Sequence, residues 1–441
     1  MFVQFKRLTW KASLLTIIIS ILAFTIALAA SGDLDPTFDG DGLVTSYASE
    51  PWKSDLAQSI AIQANGKIVA AGISNYGYAT SNFAILRYNT DGSLDTAFGG
   101  DGRVLTNLGN NDGANDVAIQ SNGKIVAAGR TCLGYYCDVA LARYNAGGSL
   151  DTTFSGDGKQ ITDFGSTDNG SDGGLAIQPD GKIVVGGYVH NGTDRDFAVY
   201  RYNANGSLDT TFSGDGMLKF GFGAGRWDTA FDLALQSDGK IIVIGETYNP
   251  NSGFLDRNFA LARLNTDGSL DVTFSGDGRQ TTNFGNDDRA YGVTLQMDGK
   301  AVVVGMKSNG DLRFFALARY NVDGSLDTTF NGTGRKVFSI IAGTSSSAED
   351  VIVQSNQMIV VAGSAVNSPE GGSFDFAMVR LNPDGALDTT FGEDGKVIID
   401  FGGTDFAASL AVRPADGKYV LGGYAYGDLS EDHFALARVL P

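Results

Sequence analysis

Apolar residues in this chain come in short runs, each closed by a turn signal, and the runs recur. Near residue 180 the order is Leu175-Ala-Ile-Gln178, then Pro-Asp-Gly, then Lys182-Ile-Val-Val-Gly-Gly187. Two apolar runs joined by Asp-Gly predict a hairpin, because Gly tolerates the positive φ that the turn demands. The same turn stands at Asn65-Gly66, Asn122-Gly123, Asp238-Gly239, Asp298-Gly299 and Asp416-Gly417, and only Asn356-Gln357 departs from it. A variable loop follows, then Phe197-Ala-Val-Tyr-Arg-Tyr-Asn203. Strand alternation puts Phe197, Val199 and Arg201 on one face and Ala198, Tyr200 and Tyr202 on the other. A turn, Asn-Gly-Ser-Leu-Asp-Thr-Thr-Phe, leads to a fourth strand at Gly216-Met-Leu-Lys-Phe-Gly-Phe222. No run of helical period is long enough to compete.

This unit repeats seven times. The landmark Leu-Asp-x-[Thr/Ala]-Phe begins at Leu34, Leu94, Leu150, Leu208, Leu270, Leu326 and Leu387, at spacings of 56 to 62 residues. Four strands at that period predict an all-β fold: a seven-bladed β-propeller with four-stranded blades. A count of six or eight blades is the competing one. The segment Gly42-Leu-Val-Thr-Ser-Tyr47 matches a fourth strand, and the chain ends on the first three strands of a repeat. The N-terminal strand is therefore expected to join the last blade and close the ring.

The motifs Asp-Gly-Lys-Ile-Val-Val-Gly-Gly, Phe-Ala-Leu-Ala-Arg-Tyr-Asn and Asp-Gly-Ser-Leu-Asp-Thr-Thr-Phe resemble the delta-60 repeat family over essentially all of residues 31–441. That resemblance implies a secreted or surface-exposed bacterial propeller. It implies no activity.

The start of the chain reads as an address. Lys6, Arg7 and Lys11 precede an uncharged apolar run from Ser13 to Leu28, and Ala27-Leu28-Ala29 offers a peptidase site. Residues 1–30 are expected to be a secretory signal peptide and residues 31–441 a single propeller domain. An uncleaved anchor is the competing reading, but the run falls short of the roughly 20 residues of a membrane span. Export to the periplasm, cell surface or medium follows, with no membrane span after cleavage. Cys132 and Cys137 fit an oxidising compartment as a local disulfide. The formal charge of −18 disfavours nucleic acid and anionic membranes as partners.

Which repeated residues are structural? Arg87, Arg143, Arg201, Arg263, Arg319, Arg380 and Arg438 recur on strand three. Asp35, Asp95, Asp151, Asp209, Asp271, Asp327 and Asp388 recur in the turn after it. A structural pair in each blade is expected. The Gly-Asp-Gly aspartates (Asp41, Asp101, Asp157, Asp215 and Asp277) resemble a calcium loop, but lack its distant Glu and suit turn caps.

Candidate chemistry is sparser. Asp55, Asp112, Asp228, Asp288 and Asp405 stand eight residues before the Gln position of strand one, on the loop to the innermost strand. With Asp116, Asp232 and Asp350 they could form an acidic funnel at the channel mouth, suited to calcium or a basic partner, or else cap turns. No other cofactor is expected. The loops between strands two and three carry Tyr76, Tyr78, Tyr135, Tyr136, Tyr188, Tyr248, Tyr424 and Tyr426. Tyr beside Asn and Gly suits a face that binds a protein or a carbohydrate, or ordinary loop packing. His190 and His433 lie in different repeats without a partner motif, so His-based catalysis is not expected. The favoured reading is a monomeric secreted binding scaffold rather than an enzyme. The alternatives are a metal-dependent, carboxylate-based hydrolase or lyase at the acidic funnel, and a structural surface protein.

Overall fold

The computed structural model describes residues 30–50, 52–75, 80–134, 136–163, 173–252, 256–426 and 431–441. The proposed signal peptide therefore falls, but for its last residue, outside the described residues, as do Tyr76, Tyr78 and Tyr135. Among the described residues there are 28 strands, β1 to β28 in chain order, and one short 3-10 turn at Pro250–Ser252. No helix is long and apolar enough to cross a membrane.

The strands form seven separate four-stranded antiparallel sheets. The first complete blade is β2 (Leu56–Ile62), β3 (Ile68–Ser74), β4 (Asn82–Tyr88) and β5 (Arg103–Thr106), in that order. Each later blade repeats it. The seventh is β26 (Asp405–Val412), β27 (Tyr419–Tyr426) and β28 (Asp432–Val439), completed by β1 (Leu43–Ser46). Leu43 pairs with Ala437 and Ser46 with Phe434, so the expected closure is observed.

The faces divide as the alternation requires. Phe197 and Val199 pack toward blade four, while Ala198, Tyr200 and Tyr202 pack toward blade two. The core is thus seven seams, each filled by two neighbouring blades. The closing seam joins Ile68 and Ala70 to Val420, Phe434 and Leu436.

Arg and Asp pair in every blade. In blade three, Arg201 Nε donates to Asp209 at 2.7 Å, and its guanidinium lies 4.6 Å from the Phe212 ring centre. Its Nη1 donates to the Thr266 carbonyl in the next blade. Arg438 bonds Asp35 at 2.5 Å, tying the two ends of the chain. A Lys just before strand two joins most pairs, as Lys182 does Asp209. Repeat six has Met358 there, and Asp388 keeps Arg380 as its cation. The Gly-Asp-Gly aspartates each accept an amide two residues on, as Asp215 does from Met217 at 2.9 Å, and so act as turn caps.

Candidate functional site: the central channel mouth

Each innermost strand begins on the side where the variable loops leave. In six blades it carries a β-bulge near that end, with register shifts such as Ala230/Asp232, Ala290/Gly292 and Ala348/Asp350. A bulge leaves one residue unpaired and re-aims it. The re-aimed residues include Gln58, Asn115, Phe231, Tyr291 and Glu349, and they line a cavity of about 510 Å³ at the channel mouth. All seven blades contribute to its wall.

The next position inward forms a second ring: Ser59, Asp116, Gly174, Asp232, Gly292, Asp350 and Ser409. Its logic is backbone satisfaction. The bulge leaves one amide per blade without a ladder partner, and a buried N–H must find an acceptor. Asp116 accepts from Val117 and, across the seam, from Leu175, both at 2.7 Å. Asp232 does the same for Leu233 (2.7 Å) and Val293 (2.8 Å). Asp350 serves Val351 (2.6 Å) and Leu410 (2.7 Å). The seventh amide, of Ile60, donates to Ser409 Oγ at 3.3 Å. Three carboxylates and one hydroxyl therefore satisfy seven amides. The glycines between them make room: a Cβ on Gly174 would lie 2.3 Å from Asp232 Oδ1.

Burial in the narrow channel raises the pKa of these acids. Asp350 is pushed up to about 6 by burial, against its amide donors. Asp232 is driven well above its ordinary value, by burial and then by the charges of Asp350 and Asp116. Asp116 is raised by burial alone. Glu349 is pushed up to about 7 by burial, opposed by Ser347, Arg313 and Arg289.

Aromatic groups flank the acids. Phe231 and Tyr291 meet edge to face at 5.4 Å on one side. Phe374, Phe406 and Tyr424 form a stack on another, at 5.1 and 5.4 Å.

The structure separates the two sets of aspartates. Asp116, Asp232 and Asp350 line the channel. Asp55, Asp112, Asp228, Asp288 and Asp405 do not; they are fully buried at the blade seams and cap the loops that cross them. Asp55 accepts from Ala48 and Ser49, Asp112 from Leu108, Asp228 from Phe222, Asp288 from Phe284 and Asp405 from Phe401. Burial pushes Asp228, Asp288 and Asp405 up to about 6.

The described tyrosines scatter. Tyr424 lines the cavity. Tyr188 and Tyr248 are buried, with Arg195 and Arg257 over their rings. Tyr136 and Tyr426 are 62% and 48% exposed. Cys132 and Cys137 are joined at the tip of the hairpin that ends in Leu133 and Tyr136. His433 packs on Tyr47 at 4.2 Å. Sequence reasoning missed Phe231, Tyr291 and Glu349; a bulge residue carries no repeated signature.

A family model described as "Domain of unknown function (DUF5122) beta-propeller" matches residues 63–98, 120–154, 178–212, 236–274, 296–330 and 354–391, once in each of six repeats. No curated protein matches the chain. Among solved structures, a protein of unknown function from Dyadobacter fermentans is similar at 12% identity and a TM-score of 0.48, over 90% of this chain and 98% of that one. A catalytically inactive virginiamycin B lyase from Staphylococcus aureus, with quinupristin, is 13% identical with a TM-score of 0.45 over 90% and 98%. Sqt1 from Chaetomium thermophilum, bound to the N-terminus of a ribosomal protein, is 11% identical with a TM-score of 0.44 over 90% and 98%. Similarities of this size say nothing about chemistry.

Proposed function

We propose that this chain, which belongs to a β-propeller repeat family, is an exported binding scaffold that seats a carbohydrate at its channel mouth. One observation carries the reading: the bulged strands deliver aromatic, amide and carboxyl side chains into one cavity instead of into the seams. Phe231 and Tyr291 offer apolar faces for the C–H side of a sugar ring, and Gln58, Asn115 and Glu349 offer hydrogen bonds to hydroxyls. The basic and apolar segment of residues 1–30, the resemblance to delta-60 repeats and the joined cysteines support export from a bacterial cell. A glycan array followed by titration calorimetry tests it. A hit should bind at least tenfold more weakly to Tyr291→Ala, with the melting temperature held. An array without a specific hit, or a hit indifferent to Tyr291→Ala and Phe231→Ala, would sink the proposal.

A second reading, a carboxylate-based enzyme, has one observation in its favour. Burial pushes the Glu349 carboxyl up to about 7, where a carboxyl can both give and take protons at neutral pH. Glycan that binds and is then consumed, by the native protein but not by Glu349→Gln, would favour it over simple binding.

A further inference from the structure

Three carboxylates converge where blade six meets blade seven. Strand pairing explains why. Phe376 of β24 (Phe374–Leu381) pairs with Ile399 of β25 (Lys396–Ile399), so the next residues outward, Asp375 and Asp400, face each other. The crossing to β26 then folds back, and the Phe401 amide donates to Asp405 Oδ2 at 2.7 Å. One oxygen from each of Asp375, Asp400 and Asp405 lies within 4.8 Å of the others.

The groups already bound there are neutral. Asn367 and Ser373 donate to Asp375, and the Gly402 amide donates to Asp400. The leading charges facing Asp405 are Asp375 and Asp400, and the one facing Asp375 is Asp400. Like charges this close repel.

A second observation points to a missing partner. Asp405 is fully buried, and its Oδ1 has no hydrogen-bond partner among the described residues. Asp228 and Asp288 also leave Oδ1 without a hydrogen bond, but they stand opposite Thr247 and Lys307, side chains able to donate, as Asp112 stands opposite Thr131. Asp405 stands opposite Ala425, which has nothing to donate. Among the described residues no other seam brings three such carboxylates together. The two outward positions hold Asn82 and Asn107 in blade one and Asn258 and Asn283 in blade four. Blade two has Asp138 and Asp163, but its sequence carries Gly170 where the seventh repeat carries Asp405.

We propose that Asp375, Asp400 and Asp405 bind a hard divalent cation of the calcium class in the seam between blades six and seven. Carboxylate oxygens suit such an ion, which fills its remaining positions with water or carbonyls. Asp400 is exposed, so water and the ion can reach the site. This site is separate from the channel and does not rest on the carbohydrate reading.

Calorimetric titration of the EDTA-stripped protein with calcium chloride, and separately with magnesium chloride, tests it. Saturable binding of one ion per chain is expected. Asp400→Asn, at an exposed position where folding is not at stake, should weaken it tenfold or more. Glu349→Gln, in the channel, should leave it unchanged. Saturable binding of neither ion would overturn the proposal. So would equal affinity in Asp400→Asn, or loss in Glu349→Gln alone, which would move the ion to the channel.

Discussion

A single arginine does three things in six of the seven blades; in blade six Arg380 reaches the Tyr419 hydroxyl instead of a carbonyl. Arg201 neutralises Asp209, bonds a carbonyl of the next blade and covers the Phe212 ring. Both partners of the ion pair are almost wholly buried. Removing one member of a buried pair strands the other charge, at about 3–5 kcal/mol. Arg201→Ala should therefore lower the melting temperature by about 5 °C, given the entropy of unfolding of a chain this size. A scanning calorimetry trace unchanged within error would contradict that structural role. These pairs were legible because they recur at fixed offsets. Asp55 and its equivalents recur as well, and were expected on the loop before strand one; the structure puts Asp112, Asp228, Asp288 and Asp405 at the start of the strand itself, and the pattern did not say which way they face. The backbone decides: the short crossings between blades leave amides needing acceptors, and the nearest carboxylate turns inward to supply them.

At the scale of the strand, the bulge is the feature that shapes the channel mouth. It widens the channel, exposes one side chain per blade and strands one amide. Asp232 resolves the amide problem for two blades at once, using both oxygens as acceptors. Asp232→Asn replaces one of those acceptors with an N–H donor that faces another donor. An unmatched buried group of this kind costs roughly 1–3 kcal/mol. Urea denaturation should show a lower midpoint for this variant, and a midpoint at or above the native one would refute the two-amide role. Strand existence and pairing could be read from turn residues and alternation, since each blade repeats them. The bulge could not. Its side chains differ from blade to blade, because they meet the open channel instead of a common neighbour, and so leave no periodic trace. Asp375 and Asp400 were missed for a related reason: Asp138 and Asp163 hold the same two positions in blade two, so the pair is distinctive only where Asp405 joins it.

At the scale of the whole ring, two groups of acids oppose each other. Burial alone would raise Asp209 and Asp327, but hydrogen bonds from Thr and Lys and the Arg charge outweigh it and hold them at about 2. Their stabilisation is complete above the ordinary carboxylate range and is lost as pH falls toward 2. Asp228, Asp288, Asp350 and Asp405 at about 6, and Glu349 at about 7, have the reverse sign. The folded state keeps protons there that the unfolded chain has released, so stability falls as pH rises from about 4 to about 7. Thermal melts should give a higher transition at pH 5 than at pH 8, and Glu349→Gln should flatten the upper part of that slope. A transition that climbs from pH 5 to pH 8 would show that these acids are ionised in the folded protein without penalty.

The second ring around the channel has a further consequence, one of parity. Each aspartate serves its own blade and the next, so the pattern has a period of two, while the ring has seven members. An alternating pattern on an odd ring must contain one fault. It falls between Ser409 and Ser59, where a hydroxyl replaces a carboxylate. That fault lies at the seam between blades seven and one, beside the blade that β1 completes without a covalent link. Blade number and residue pattern are thereby coupled. An eight-bladed ring could alternate without a fault, and in this one the mismatch is confined to the junction where the circle is joined.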